Sequence, residues 1–585
     1  MANSILLLLL LLPLTFALHN LFCLFLNYRI ARKIGIPVIV LPASPDNPVW
    51  MLTSGPVLSI VKAIFGDCSV TKYGQIGWEY HEKYRVHVKH GDAVVLVTPA
   101  HNWVYVCNAE AFNDIFQRRN AFARPPEMLA MLDVFGPNIS TVISLTSSVD
   151  GPWLTTNEAN GADWQRHRKI TSTPFNEQNS HLVWAKALRQ ADEVLQFWKS
   201  LGTPIRRIAK DTRTLSLHVL SEAGFGKSYS FRKSTEAPKP GHVFNYRDSL
   251  ALILENIFLI LIFGPKFLTN QFLPKSWTRI GQATLDFKFH MVEMVEEEKR
   301  LIAEGKPGGG NIINSLIRAS EEMTKSARTD GSGFKGLTED EIYGNIFVYN
   351  FAGHDTMAIT LNWALYLLAA HPEIQDWVSE ECNAVIQYDQ SSTWTYDEVY
   401  PKLNRCLAVL LETLRLWDPL IGIAKSTGST PQPLTLNGRV TTIPARTRVI
   451  LNINAIHTHP KYWGSDSLTW RPQRWILLSN PATESTPSNT SPLAHEYLYT
   501  PPRGAYVPWS DGARVCPGKK FGQVEFVAAM GVLFRRHRVE VVPESGESMK
   551  EARERVMGVV LDSHITLLLQ MRKPDSVGLR WVESG

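Results

Sequence analysis

Cysteine is scarce. The six residues, Cys23, Cys68, Cys107, Cys382, Cys406 and Cys516, are too few for a disulfide framework in a chain of 585. No two stand at Cys-x-x-Cys spacing, which excludes a zinc knuckle and leaves any cysteine chemistry to a single residue. Nucleotide fingerprints are missing too. Gly308-Gly309-Gly310 is not followed by Lys-Ser/Thr, and no flavin or nicotinamide signature occurs. There is no internal repeat and no Ser/Gly-rich linker. Prolines (35) and glycines (37) are scattered throughout, which excludes collagen-like and coiled-coil architectures. Nor is one sign of charge in excess: 60 basic against 55 acidic residues leave +5. That surplus is too small to argue for nucleic acid, and suits an anionic membrane surface or an acidic protein partner. The remainder, 44% hydrophobic and 20% charged, is ordinary globular composition, and length alone suggests roughly four domains.

One long apolar run is present, Ile5 to Leu26, with no Lys or Arg before it and Arg29, Arg32 and Lys33 after it. As a helix it rises about 33 Å, enough to cross a hydrocarbon core of about 30 Å. The charge asymmetry directs the body to the cytoplasm and the N-terminus to the lumen. A cleaved signal peptide would need a basic n-region and a small-x-small cleavage site. The expected organisation is therefore an anchor over 1–27 and a body over 28–585. The sequons at Asn138 and Asn489 would not meet the glycosyl transferase on the cytoplasmic side. Leu250 to Phe263 is the second most apolar stretch, but Glu255 and Asn256 at its centre indicate a buried or membrane-dipping helix, not a span.

In the body, RVHVKH (85–90), AVVLVT and WVYVCN alternate like strands of a small sheet, and EAFNDIF reads as the helix that follows. Helical periodicity then dominates at 163–170, 180–200, 209–223, 245–262, 281–304 and 338–371. Residues 305–336 and 479–504, rich in Gly or in Ser, Thr and Pro, read as surface insertions.

Thr338 with Glu341 forms a capping box, and Leu337 can staple against Ile342, at the head of a helix that runs to His371-Pro372. Its centre reads Phe351-Ala352-Gly353-His354-Asp355-Thr356. A mid-helix glycine beside polar residues is either a packing site, with Thr356 bonded back to the helix carbonyl, or an opening for a small ligand next to a hydroxyl. On a second helix, 400–417, Glu412 and Arg415 stand three apart among leucines, so burial needs a further partner, and Arg474 is a candidate. Near the C-terminus, Trp509-x-x-Gly512-x-Arg514-x-Cys516-x-Gly518 sets one cysteine between glycines just before a helix, Lys519 to about Arg535. A helix N-terminus and a neighbouring arginine favour a thiolate, which can act as a nucleophile or ligate a soft metal or haem iron.

This ten-residue loop resembles the haem-thiolate loop of the cytochrome P-450 family, with tryptophan where phenylalanine is usual. Ala352-Gly353-His354-Asp355-Thr356, Glu412-x-x-Arg415, Pro472-x-Arg474-Trp475 and Trp164-Gln-Arg-His-Arg168 resemble further family motifs, in family order. Met357 departs from them, since a second hydroxyl residue commonly follows the threonine. The resemblance implies a mainly α fold with small β-sheets around a buried haem b. It implies Cys516 as axial iron ligand, and Trp164, Arg168 and Arg514 on the haem propionates. Gly353 would make room for dioxygen, Thr356 backed by Asp355 would supply protons, and Glu412, Arg415 and Arg474 would form a structural network. Electrons would come from NADPH through a separate flavoprotein reductase, which Lys519, Lys520, Arg535, Arg536 and Arg538 could receive on a basic face. The implied activity is oxidation of a lipophilic small molecule at the endoplasmic reticulum membrane, in the manner of filamentous-fungal members that act on terpenoid, polyketide or alkaloid intermediates. The alternatives are a haem-thiolate isomerase or dehydratase and a non-catalytic haem carrier or sensor.

Overall fold

The computed structural model describes residues 2–584 apart from 126–127, 129–131, 142–161, 203, 232–237, 239, 331–335 and 480–491. The fold is mainly helical with small sheets. The largest sheet has five strands in the order β1 (Val38–Val40), β2 (Ala93–Val97), β3 (Asn102–Val106), β7 (Arg448–Asn452) and β4 (Gly422–Ser426). A hairpin of β5 (Gln432–Leu436) and β6 (Arg439–Ile443) lies between the last two in sequence.

The longer helices are α1 (Ala2–Arg32), α2 (Pro48–Phe65), α3 (Arg85–His90), α4 (Ala109–Gln117), α5 (Ala162–Ser172), α6 (Glu177–Leu201), α7 (Ile208–Phe225), α8 (Tyr246–Glu255) and α9 (Ile257–Phe263). They continue with α10 (Lys275–Ala303), α11 (Ile312–Asp330), α12 (Glu339–Ala370), α13 (Pro372–Val385), α14 (Asn404–Leu416), α15 (Lys519–Phe534) and α16 (Met549–Leu561). Helix α12 is the axle. Its residues from Ile342 to Asn350 and from Ala358 to Ala370 are all buried, as expected of a helix apolar on every face. Both halves of the capping box form: Glu341 N donates to Thr338 Oγ1 (3.3 Å) and Thr338 N to Glu341 Oε2 (2.8 Å). Arg166 on α5 adds a two-pronged bond to the same Glu341 carboxylate (2.6 and 2.9 Å), locking α5 to the head of α12. Helices α7, α14 and α16 pack along α12, while α6 lies along α15.

Three expectations are corrected. RVHVKH is the short helix α3, not a strand. Val86 and His87 are buried as neighbours instead of alternating, and Gly91 caps the helix at φ +90°. The 245–262 pattern is two helices that break at Asn256, whose side chain bonds back to Leu252 O (2.9 Å). The insertion 305–336 is not merely a loop, because α11 buries Ile312, Ile313, Leu316 and Ile317 on one face. Residues 331–335 of it, and most of 479–504 with Asn489, lie outside the described residues. Asn138 is buried, donating to Leu132 O (3.1 Å) and accepting from Ser140 N (3.0 Å).

Among the described residues, no helix is long and apolar enough to cross a membrane. Helix α1 continues beyond residue 27, and its end is part of the body. Leu24 and Tyr28 pack beneath the sheet, Ala31 is buried, and Asn27 donates to Thr98 O (2.9 Å).

Candidate active site

Cys516 sits where an irregular loop meets α15. Three backbone bonds shape that loop: Ser510 N to Val507 O (3.0 Å), Val515 N to Gly512 O (3.1 Å) and Cys516 N to Trp509 O (2.8 Å). Gly512 is needed twice over. Its φ is +69°, and a Cβ there would lie 3.0 Å from Phe116 O. Helix α15 is buried from Val524 to Phe534, yet Cys516 ahead of it is solvent-accessible. Burial within its concave surroundings pushes the thiol pKa up. The Gly518 amide and the Arg168 and Arg124 guanidiniums oppose that shift without overcoming it. The helix terminus alone therefore does not hold a thiolate, whereas a coordinated metal ion would deprotonate the sulfur outright.

The central turn of α12 lies beside this loop. Tyr349 stacks edge-on against Phe175 (5.4 Å), and a Cβ on Gly518 would lie 4.0 Å from that Phe175 ring and 3.9 Å from the Cys516 sulfur. Met357 packs on Gly522 of α15, where a Cβ would come within 2.7 Å of its sulfur. Between these two anchors Ala352 is exposed, and Thr356 Oγ1 donates to Ala352 O (2.8 Å). At Gly353 a Cβ would meet the Leu220 side chain of α7 at 3.4 Å, an ordinary contact, and Ala352 shares a face with Thr356. Asp355 is ion-paired to Arg213 of α7 (2.9 Å), which also bonds Gln570 (2.7 Å). Met357 is an anchor between helices where a second hydroxyl is usual.

Around the cysteine the structure gathers cations. Arg168 donates to Val515 O (2.9 Å), which ties α5 to the loop. Arg514, expected on the haem propionates, lies over the buried Trp164 ring at 4.4 Å, and Arg119 lies over the same ring at 5.4 Å. Burial, then Arg124, Arg119 and Arg168, hold the Arg514 pKa down to about 9. Sequence reasoning missed two members. Arg124 follows α4, and Lys425 is a buried lysine on β4 whose pKa burial, Arg124 and Arg514 lower to about 7. The only available signal was one lysine inside the otherwise apolar strand Gly422-Ile423-Ala424-Lys425-Ser426. Cations this crowded call for anions. One accessible sulfur and a group of mutually repelling basic side chains fit a haem, which needs one soft axial ligand and neutralisation of two propionates.

Glu412, Arg415 and Arg474 come together as a closed network, with Glu412 and Arg415 buried and the Arg474 side chain 7% exposed. Arg415 grips Glu412 with two bonds (2.8 and 2.9 Å), Arg474 Nε adds a third (2.9 Å), and Trp475 Nε1 and the Arg471 amide complete five (both 2.9 Å). Arg415 also donates to the carbonyls of His457 (2.8 Å) and Ser467 (2.5 Å), pinning the chain that leads to the cysteine loop.

The expected basic docking face is smaller than its sequence. Arg535 and Arg536 pair with Asp389 (3.2 and 2.5 Å) and Arg538 with Asp376 (3.0 Å). Lys519 and Lys520 instead lie over the rings of Trp509 and Tyr400. The cysteines hold one surprise: Cys382 and Cys406 are buried with their sulfurs 3.6 Å apart, both as free thiols.

The family model described as Cytochrome P450 matches residues 65–568. A cytochrome P450 monooxygenase of Arthrobotrys oligospora is 28% identical over 578 residues, covering 94% of each chain. The phomenoic acid biosynthesis cluster cytochrome P450 monooxygenase of Leptosphaeria maculans is 26% identical, covering 89% of this chain and 90% of its own. A cytochrome P450 crystal structure superposes with a TM-score of 0.61 at 20% identity, over 87% of this chain and 99% of that one. With its cysteine loop set beside the α12 turn, the chain belongs to the cytochrome P450 family and is a monooxygenase of that family.

Proposed function

We propose that this chain is a membrane-anchored haem-thiolate monooxygenase that oxidises a lipophilic small molecule in fungal specialised metabolism, with electrons from NADPH relayed by a separate flavoprotein reductase. The observation that carries this reading is the accessible Cys516 beside the Ala352–Thr356 turn, with Arg124, Arg168, Arg514 and Lys425 gathered around it. When bound, haem supplies dioxygen activation, and a thiolate ligand favours O–O cleavage. Cys516 would hold its iron, and the basic side chains with Trp164 would hold its propionates. The Thr356 hydroxyl, now donating to Ala352 O, can turn to pass a proton into the pocket, while Arg213 pairs with Asp355 behind it (2.9 Å).

Support for a lipophilic substrate comes from the apolar stretch Leu250 to Phe263, which leaves Ile262 and Phe263 exposed at its end. The Leptosphaeria relative's place in a biosynthesis cluster supports a role in specialised metabolism. Placement at the endoplasmic reticulum membrane, body towards the cytoplasm, is supported by the apolar run with basic residues only after it. Apolar side chains left in water support it too, among them Leu52 (84% exposed) and Ile64 on α2 and Phe272 (87%) beyond α9.

Reduced protein with carbon monoxide should show the strongly red-shifted Soret band of thiolate ligation, and Cys516→Ser should abolish it. A band that survives the substitution removes Cys516 as the ligand. Thr356→Ala should keep haem but lower product formed per electron by at least about tenfold. Unchanged coupling would remove Thr356 from proton supply and revive the isomerase or dehydratase reading.

A further inference from the structure

Remote from Cys516 in sequence, a second set of ligand-type side chains converges on α10. Asp286, His290 and Glu293 are spaced four and three residues apart, so they form one stripe along that helix. Asp286 Oδ2 accepts the amides of Val243 (2.9 Å) and Phe244 (2.7 Å), while Gln282 steadies its other oxygen (3.0 Å). These bonds clamp the segment ahead of α8 onto α10 and set His242 against His290. The two imidazoles are parallel, 6° apart, with centroids at 4.1 Å. His242 Nε2 lies 2.9 Å from Glu293 Oε1. One ring nitrogen from each histidine and one Glu293 oxygen all lie within 4.8 Å of one another.

The surroundings are those of a prepared site. His290 Nε2 is 3.0 Å from Phe244 O, and the tautomer that makes this bond keeps its lone pair on Nδ1. A carbonyl that orients the far nitrogen of an imidazole is the usual support for a metal-binding histidine. The His242 side chain is only 5% exposed, and its Nδ1 has no hydrogen-bond partner among the described residues. Glu293 opens onto a cleft of about 730 Å³ whose other charged lining is Glu296, Glu297 and Glu298 against Lys227 and Arg300, a net acidic balance. That cleft gives a cation an acidic way in.

We propose that His242, His290 and Glu293 bind one zinc-class divalent cation, completed by water, which cross-links the segment ahead of α8 to α10. Two imidazoles with one carboxylate suit zinc better than calcium or magnesium, which prefer oxygen alone, and the lack of a thiolate disfavours Cu(I). The 2.9 Å between His242 and Glu293 is near the spacing of about 3.3 Å between neighbouring ligands of a tetrahedral ion with bonds of about 2.0–2.1 Å. Capture replaces the His242–Glu293 hydrogen bond with two metal bonds, and tilts the rings out of their stack so that both lone pairs meet one point.

The test uses full-length, haem-loaded protein stripped with a chelator and dialysed against micromolar zinc chloride. Bound zinc is counted per haem, and thermal unfolding is followed with and without zinc. The wild type should hold one zinc more than Glu293→Gln or His290→Ala, whose affinity should fall by about 10–100-fold or more. Zinc should raise the unfolding temperature of the wild type alone and leave its Soret band unchanged. Glu293 is partly exposed, so its variant remains informative if His290→Ala does not fold. No zinc in the wild type, or equal zinc in the wild type and Glu293→Gln, overturns the proposal. Neither result bears on the haem assignment.

Discussion

Two groups of basic side chains lie in the interior, and they differ in what burial does to their charges. In the first, Glu412 accepts five hydrogen bonds, including those of Arg415 and Arg474; the remaining Arg415 hydrogens find backbone carbonyls, and Arg474 pairs also with Asp466 (3.2 Å). In the second, the pKa values of Arg124, Arg168, Arg514 and Lys425 all lie below their usual range, and burial is the leading cause in each. For Arg514 and Lys425 the neighbouring cations add to the fall. A balanced group is structure. A group whose charges depress one another is a binding site for something negative.

The largest effect should come from breaking the balanced group. Glu412→Gln leaves the buried Arg415 guanidinium without a counter-charge and Arg474 with Asp466 alone, at a cost of about 3–5 kcal/mol. Urea unfolding of the haem-loaded protein should show most of its stability gone. A loss under about 1 kcal/mol would mean the network is not what holds the cysteine loop in place.

Next in size is removal of one member of the unbalanced group. Arg168→Gln should speed haem transfer to apomyoglobin by about tenfold, the equivalent of one charged hydrogen bond. In haem-free protein the same change relieves repulsion on Arg514, so stability there should hold or rise. Equal losses of stability with and without haem would erase the distinction between the two groups.

Legibility in the sequence follows the same division. Capping chemistry is local, so Thr338 and Glu341 announce α12 without reference to anything distant. The cysteine loop is equally local, because its glycines, arginine and cysteine fall within ten residues. Arg474 could be offered as a partner for Glu412, but Trp475 Nε1 and the carbonyls of His457 and Ser467 could not, since chain reversal alone brings them in. Arg124 and Lys425 come from separate segments and carry no spacing rule. Helix α11 was hidden by the glycines and polar residues on either side of it, although Ile312, Ile313, Leu316 and Ile317 carry the helical period.

The smallest effect is the most discriminating, because it is a dependence on pH. Lys425 has a pKa of about 7 in the folded, haem-free protein, against 10.5 for an ordinary lysine. Between those values the unfolded chain binds more protons than the folded one. The penalty for burying this lysine is therefore complete below about pH 7 and is relieved as pH rises towards 10.5. A propionate beside Lys425 works the other way, raising its pKa, so haem binding above pH 7 takes up a proton. Haem should then be held less tightly as pH rises, by at most about tenfold per pH unit. Haem transfer from the wild type should be faster at about pH 8.5 than at about pH 6.5, and Lys425→Arg, charged throughout that range, should flatten the difference. The Glu412 network, with its own acid in place, should show no matching dependence in unfolding over the same interval. If Lys425→Arg keeps the full pH dependence of haem release, another group supplies it, and Lys425 does not belong with the cations that meet the propionates.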